Sequence, residues 1–262
     1  MIIMKKRLFI LALAVCMILA CSGIVIAAGD SQNLAASDAW QELLKGNQRF
    51  VAGERAIMNF PNKRIELIAG QHPFAAVISC SDSRVPPELL FDQGLGDLFI
   101  IRVAGNVAGP IELGSIEYGI EHLHIPLLVV LGHQACGAVD AAVQGPAGGN
   151  IQSILNEIEP AVKIAKKTPR TGNLVEDSVD ENVKLVIKNI LKRSPITEEY
   201  VKEGKLTVIG AKYFFDTGKI EVIEVVDDAS VSATLNTSRL EAVLIIAIIL
   251  AIVFFVSRIK RD

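Results

Sequence analysis

Three short apolar runs stand out along the chain, at residues 74–79, 98–103 and 126–131. None of them alternates with polar positions. Unbroken runs of this length predict strands buried on both faces of a parallel sheet, not strands with one wet face. Residues 206–215 and 219–226 predict two further strands, joined at the turn signal Asp216-Thr217-Gly218. Helical patterns fill the gaps. Asp38 and Gln41 have the spacing of a capping box, opening a helix that carries Trp40, Leu43 and Leu44. A second helical stretch runs near 62–70, and Pro86-Pro87 opens another through about Phe91. Further helices are predicted at 111–122, 136–143, 151–167 and 175–193, the last with Val175, Val179, Val183, Val186 and Ile187 on one face. A Gly/Pro loop fills 144–150, and there is no internal repeat. Short apolar strands alternating with helices predict an α/β fold: a parallel-core β-sheet flanked by helices. Its ligand site is expected at the carboxyl ends of the strands.

The two ends read differently. Residues 8–28 and 242–256 carry no charge, and they lift the hydrophobic share of the 262-residue chain to 51%. Lys5, Lys6 and Arg7 precede the first run, the order of an export signal. Three readings of residues 1–28 stay open: a signal peptide cut after Ala28, a lipoprotein signal with Cys21 lipidated, or an uncut signal anchor. The second run predicts a transmembrane helix over 240–257, with a buried C-terminal helix as the alternative. Arg258, Lys260 and Arg261 then form a basic cytoplasmic tail at 258–262. The remaining division is a linker at 29–36, a globular domain at 37–226 and a juxtamembrane linker at 227–239. Both basic clusters lie on the inside in this topology, and the domain lies outside the cytoplasm, anchored in the membrane through the terminal segments.

Charge narrows the function. Seven of the 26 basic and two of the 29 acidic side chains lie in the terminal segments, so residues 30–238 hold 19 basic and 27 acidic groups. An acidic domain without a basic stripe predicts no nucleic-acid partner. Composition also excludes a collagen, a coiled coil, a disordered chain and a polytopic transporter.

Candidate chemistry follows two of the predicted strands. Cys80, Asp82 and Arg84 come directly after the first run, and His133 and Cys136 after the third. Two thiolates and an imidazole make a Cys₂His set, which suits Zn²⁺ and leaves a fourth tetrahedral position open. Asp82 is within reach of such a metal or its water, and Arg84 can clamp that carboxylate in a bidentate pair. Clamped, Asp82 leaves the fourth position to water; unclamped, it can take that position itself. On spacing alone other readings stay open: two buried small hydrophobes, one disulfide, a structural Asp–Arg pair. His122 and His124 read as a proton relay, a second metal pair, or surface or core histidines.

These residues carry a resemblance. Cys80-Ser81-Asp82-Ser83-Arg84-Val85-Pro86-Pro87-Glu88 resembles the first signature of the β-class carbonic anhydrases, and Gly132-His133-Gln134-Ala135-Cys136-Gly137-Ala138 resembles the second. Residues 92–99 and 102–106 resemble the segment between, 46–50 the amino-terminal arm, and 210–218 the last core strand. The resemblance covers about residues 38–226. It implies a β-carbonic-anhydrase-like sheet with an N-terminal helical arm, and zinc held by Cys80, His133 and Cys136. It implies a catalytic dyad of Asp82 and Arg84, with Gln71 and the Gly132 backbone at the substrate. The implied reaction is the reversible hydration of CO₂ to bicarbonate and a proton, without an organic cofactor, in a homodimer or higher homo-oligomer. A subgroup of the family that holds Asp on zinc carries Trp three residues before the first ligand Cys. Val77 stands there in this chain, which implies Asp82 held off the metal. Hydrolysis of a CO₂ analogue (CS₂ or COS) and an inactive zinc-binding bicarbonate sensor are the alternative functions.

Overall fold

The structure is a computed structural model and describes residues 34–229. The expected signal or anchor, Cys21, the transmembrane helix, the basic tail and most of both linkers lie outside the described residues. Among the described residues, no helix is long and apolar enough to cross a membrane.

Five strands form one sheet: β1 (Ala75–Ser79), β2 (Leu98–Arg102), β3 (Leu127–His133), β4 (Thr207–Tyr213) and β5 (Ile220–Val226). Their order is β2-β1-β3-β4-β5. The first four run parallel, and β5 returns antiparallel to β4. The expected parallel core therefore has one antiparallel edge. Its cause is the short connection, which closes with Gly218 N–H donating to Phe214 O at 2.9 Å and Gly218 at φ 70°. β1 and β3 are buried at every position, as their unbroken apolar runs predict.

Successive side chains face opposite layers. Ile78, Leu128 and Val130 pack against α4 (Pro110–Leu123), α7 (Leu174–Arg193) and α8 (Pro195–Lys202). Val77, Val129 and Leu131 pack on the other side against α1 (Ala36–Ala52) and the residues around α3 (Pro87–Leu90). The remaining helices are α2 (Phe60–Glu66), which passes into a 3₁₀ turn at Leu67–Ala69, α5 (Gly137–Gln144) and α6 (Ile151–Lys167).

Several boundaries differ from the sequence pattern. α1 starts two residues before Asp38, at Ala36, with no side-chain cap, so the expected capping box does not form. Asp38 instead sits in the first turn, where a negative charge favours the helix dipole. β3 continues through Gly132 to His133, because its partner β4 extends opposite to Lys212 and Tyr213. α8 was absent from the pattern: it is eight residues long, opened by Ser194 Oγ accepting from Thr197 N–H at 3.2 Å.

The α1 arm docks by close approach and by charge. A Cβ on Gly46 would fall 1.7 Å from Phe91 O, so only glycine fits there. Asn47 donates to Leu90 O at 3.1 Å and Gly218 O at 3.0 Å, and accepts from Ile220 N–H at 3.1 Å. Arg49 Nε meets the buried Asp92 Oδ2 at 2.6 Å, while Arg55 Nε meets Oδ1 at 3.3 Å. Burial alone raises the Asp92 carboxyl, but Arg49, the Ala56 N–H and Arg55 outweigh it and hold the group below its ordinary value.

A carboxylate with a lower pKa folded than unfolded stabilises the fold above its unfolded value, and loses that contribution as pH falls through the folded value. Asp92→Asn is therefore expected to lower the thermal midpoint at neutral pH. The gap between parent and variant should close as pH is lowered through about 4 and below, followed by circular dichroism. A gap independent of pH would mean that Asp92 acts by packing alone.

Candidate metal centre

The sheet order creates the site. From β1 the chain turns outward to β2, and from β3 it turns the opposite way to β4. The loops leaving the carboxyl ends of β1 and β3 therefore diverge, which opens a crevice between neighbouring strands. Cys80 directly follows β1, and His133 is the last residue of β3. Cys136 follows within one turn, immediately before α5.

The three side chains meet. Their ligand atoms all lie within 4.8 Å of one another, and all three residues are buried. The two sulfurs are 4.0 Å apart and both cysteines are free, so the disulfide reading falls. Two 2.3 Å zinc–sulfur bonds at a tetrahedral angle set sulfurs about 3.8 Å apart. His133 Nδ1 donates to Gln134 O at 2.9 Å, which leaves the lone pair on Nε2. That Nε2 is buried without a hydrogen-bond partner. A solitary buried acceptor nitrogen beside two sulfurs suits a tetrahedral cation, and Cys₂His with an open fourth position is a catalytic zinc set. The residues fit zinc.

The thiols are polarised accordingly. The neighbouring Cys136 thiol pulls the Cys80 thiol well below its ordinary value against the effect of burial, with the N–H groups of Asp82 and Gly105 assisting. Sharing with Cys80 and burial push Cys136 up.

Asp82 is turned to Arg84. Its Oδ1 accepts from Arg84 Nε at 2.9 Å and from the Arg84 backbone N–H at 2.9 Å, and its Oδ2 accepts from Nη2 at 2.7 Å. Arg84 holds this carboxyl well below the usual carboxylate range. Asp82 Oδ2 stands 4.0 Å from His133 Nε2, beside the metal cluster. The Arg84 guanidinium lies over the Phe215 ring at 4.2 Å, and Phe215 packs edge-on against His133.

The two expected substrate residues lie at opposite ends of the sheet. Gly132 lies in β3, and a Cβ there would fall 2.6 Å from Val183 Cγ2 on α7. Close packing of helix on strand is thus a sufficient reason for glycine. Gln71 is exposed and precedes the amino end of β1, whereas Cys80 follows the carboxyl end. The chain does not bring Gln71 to its own cluster. His122 and His124 close α4 ahead of β3, also at the amino edge.

Other contacts escaped the sequence pattern. Arg102 donates from Nε to Cys80 O at 3.1 Å and from Nη2 to Asp82 O at 2.6 Å, fixing the loop that carries both. Gly105 N–H donates to Cys80 Sγ at 3.3 Å. Gln134 Oε1 accepts from Phe215 N–H at 3.0 Å, tying the ends of β3 and β4. The Ala104-Gly105-Asn106 turn after β2 was visible as a strand end, but nothing local marked its N–H as a sulfur donor.

Fold and site define a zinc-binding α/β protein whose metal position is open to a small ligand. The family profile described as carbonic anhydrase matches residues 75–220. Carbonic anhydrase 2 of Mycobacterium tuberculosis is 37% identical over 190 residues, covering 69% of this chain and 89% of that protein. The carbonic anhydrase of Mycolicibacterium smegmatis is 36% identical over 193 residues, covering 70% and 91%. Among solved structures, a tetrameric β-carbonic anhydrase of Sordaria macrospora superposes with a TM-score of 0.58 at 28% identity, covering 70% of this chain and 95% of that one. The chain belongs to the carbonic anhydrase family, in its β class, whose metal is zinc.

Gly132→Ala is expected to cost about 1–3 kcal/mol in chemical denaturation, the usual penalty for overpacking. Adding Val183→Ala should recover much of that loss. If it recovers none, the clash with Val183 is not what makes glycine necessary.

Proposed function

We propose that this chain is a membrane-tethered, extracytoplasmic carbonic anhydrase in which Cys80, His133 and Cys136 hold zinc and Asp82 and Arg84 prepare the reacting water. The observation that carries the assignment of ligands is the buried, unpartnered His133 Nε2 beside two free sulfurs. Zinc bound there supplies a Lewis acid that brings the ionisation of a coordinated water close to neutral pH. Asp82 does the positioning. With its carboxylate fixed by two guanidinium bonds, it accepts a hydrogen bond beside the cluster without taking a metal position. Arg102 keeps the backbone of Cys80 and Asp82 in place while this happens. Phe215 closes one wall and limits water around His133.

Assembly and location follow from other features. Ile57, Phe60, Ile65 and Ile68 are exposed along one segment next to the arm, a surface that a second copy would cover. The Sordaria macrospora relatives are tetrameric, which supports a homo-oligomer here. Gln71, standing at the amino edge of its own sheet, then reaches a metal centre only from a second copy. The uncharged runs at 8–28 and 242–256 and their basic flanks support anchoring at both ends, with residues 30–238 outside.

Stopped-flow CO₂ hydration by the zinc-loaded protein tests the activity. Asp82→Ala should lower the turnover number about 10²–10⁴-fold, the range for a positioned proton-handling group, while zinc content and melting midpoint stay at parent values. Loss of zinc in that variant, or an inactive zinc-loaded parent, would overturn the assignment. For location, alkaline carbonate should leave the full chain in the membrane pellet. Protease added outside sealed cells should digest the segment 30–238. Release into the wash, or protection from protease, would refute the topology.

A further inference from the structure

The two metal-binding loops leave different strands, yet one helix reaches both, the first of them through the turn that follows β2. Asn182, near the middle of α7, is 1% exposed. Its Nδ2 donates to Gly105 O at 2.9 Å, and the N–H of that same Gly105 donates to Cys80 Sγ at 3.3 Å. Gly105 has φ 70°, and a Cβ on it would fall 2.7 Å from Ile158 Cδ1, so the turn has one shape and the amide one direction. Asn182 Oδ1 has no partner. The residue thus carries a desolvation cost that an apolar side chain would avoid, and its one bond goes to the residue that faces the sulfur.

Glu176 serves the other loop from the first turn of the same helix. Its Oε1 accepts from Ala135 N–H at 2.8 Å, and its Oε2 pairs with the buried Lys212 at 2.7 Å. Ala135 sits at φ 49°, the left-handed region that favours glycine, between His133 and Cys136. The bond from its N–H to Glu176 holds the backbone there and sets the spacing of the two ligands on either side.

We propose that Asn182 and Glu176 are positioning residues for the metal: from one rigid helix, the first aims an amide at the Cys80 sulfur and the second fixes the turn between His133 and Cys136. The proposal rests on zinc being held by Cys80, His133 and Cys136. Hydrogen bonds that hold a ligand's sulfur or the turn that carries it orient the ligands, and their loss typically weakens metal binding about 10–100-fold.

The test uses Co²⁺ as a probe, titrated into metal-free full-length protein in competition with a chelator, with the thiolate-to-cobalt charge-transfer band recorded. Asn182→Ala and Glu176→Ala should raise the dissociation constant about 10–100-fold and shift or broaden the band. Glu176→Gln keeps an acceptor for the Ala135 amide and should keep the parent's affinity and band. Melting midpoints report folding separately, and the Glu176 pair decides the matter should Asn182→Ala not fold. Folded alanine variants with the parent's affinity and spectrum would overturn the positioning proposal alone. A parent protein with no thiolate–cobalt band would overturn the ligand assignment beneath it.

Discussion

Two sulfurs and a bare imidazole nitrogen share a dry space at the end of the sheet, and the rest of the structure is arranged around that fact. A buried thiolate without a counter-charge is expensive, and so is a buried acceptor without a donor. The chain nevertheless collects all three, with Cys80, His133 and Cys136 each nearly inaccessible to solvent. Only a cation satisfies them together. Convergence of this kind needs two loops that start side by side and then part. The order β2-β1-β3-β4 provides one such place, between the carboxyl ends of β1 and β3. The hydrophobicity of those strands is thus a functional requirement as well as a folding one: burial on both faces fixes the two strand ends rigidly against each other.

A carboxylate beside a dication should be drawn onto it. In the proposed centre two arginines oppose this by different means. Arg102 holds the main chain at Cys80 and Asp82, so the loop cannot swing. Arg84 occupies both carboxylate oxygens, and its planar group rests on Phe215. A lysine would offer a point charge, without the fork that engages both oxygens. Phe215 is itself anchored through its N–H to Gln134, the residue between His133 and Ala135. The clamp on Asp82 and the metal loop are therefore parts of one assembly, and a shift in either is felt by the other.

The sequence was legible where the signal is local. Unbroken apolar runs marked β1 and β3, because burial on both faces leaves no polar position to disguise them; β2 carries a similar run at the sheet edge, half-buried and with Arg102 exposed. The ligands could be named because each sits within a short signature next to a strand end. What was hidden depends on segments meeting in space. The end of β3 is set by Lys212 and Tyr213 across the ladder, eighty residues away in the chain. The donor to Cys80 Sγ is an amide in a turn after β2. α8 was hidden for a different reason: at eight residues it carries too few apolar positions to show a helical period, although Ser194 before Pro195 is a start signal. Gln71 matches by spacing, but nothing local says that five residues of extended strand set it apart from its own Cys80.

The two faces of the sheet divide the work. On one face α7 packs against β3 and β4 and reaches both metal loops, so its position is tied to the geometry of the centre. On the other face α1 is held by Asn47 and by the Arg49–Asp92 pair, and its Phe50 meets Tyr213 edge-on, which in turn meets Phe215. The exposed apolar side chains at 57–68 follow that arm in the chain. A change in the packing of α7 reaches Cys80 through one amide and Cys136 through another.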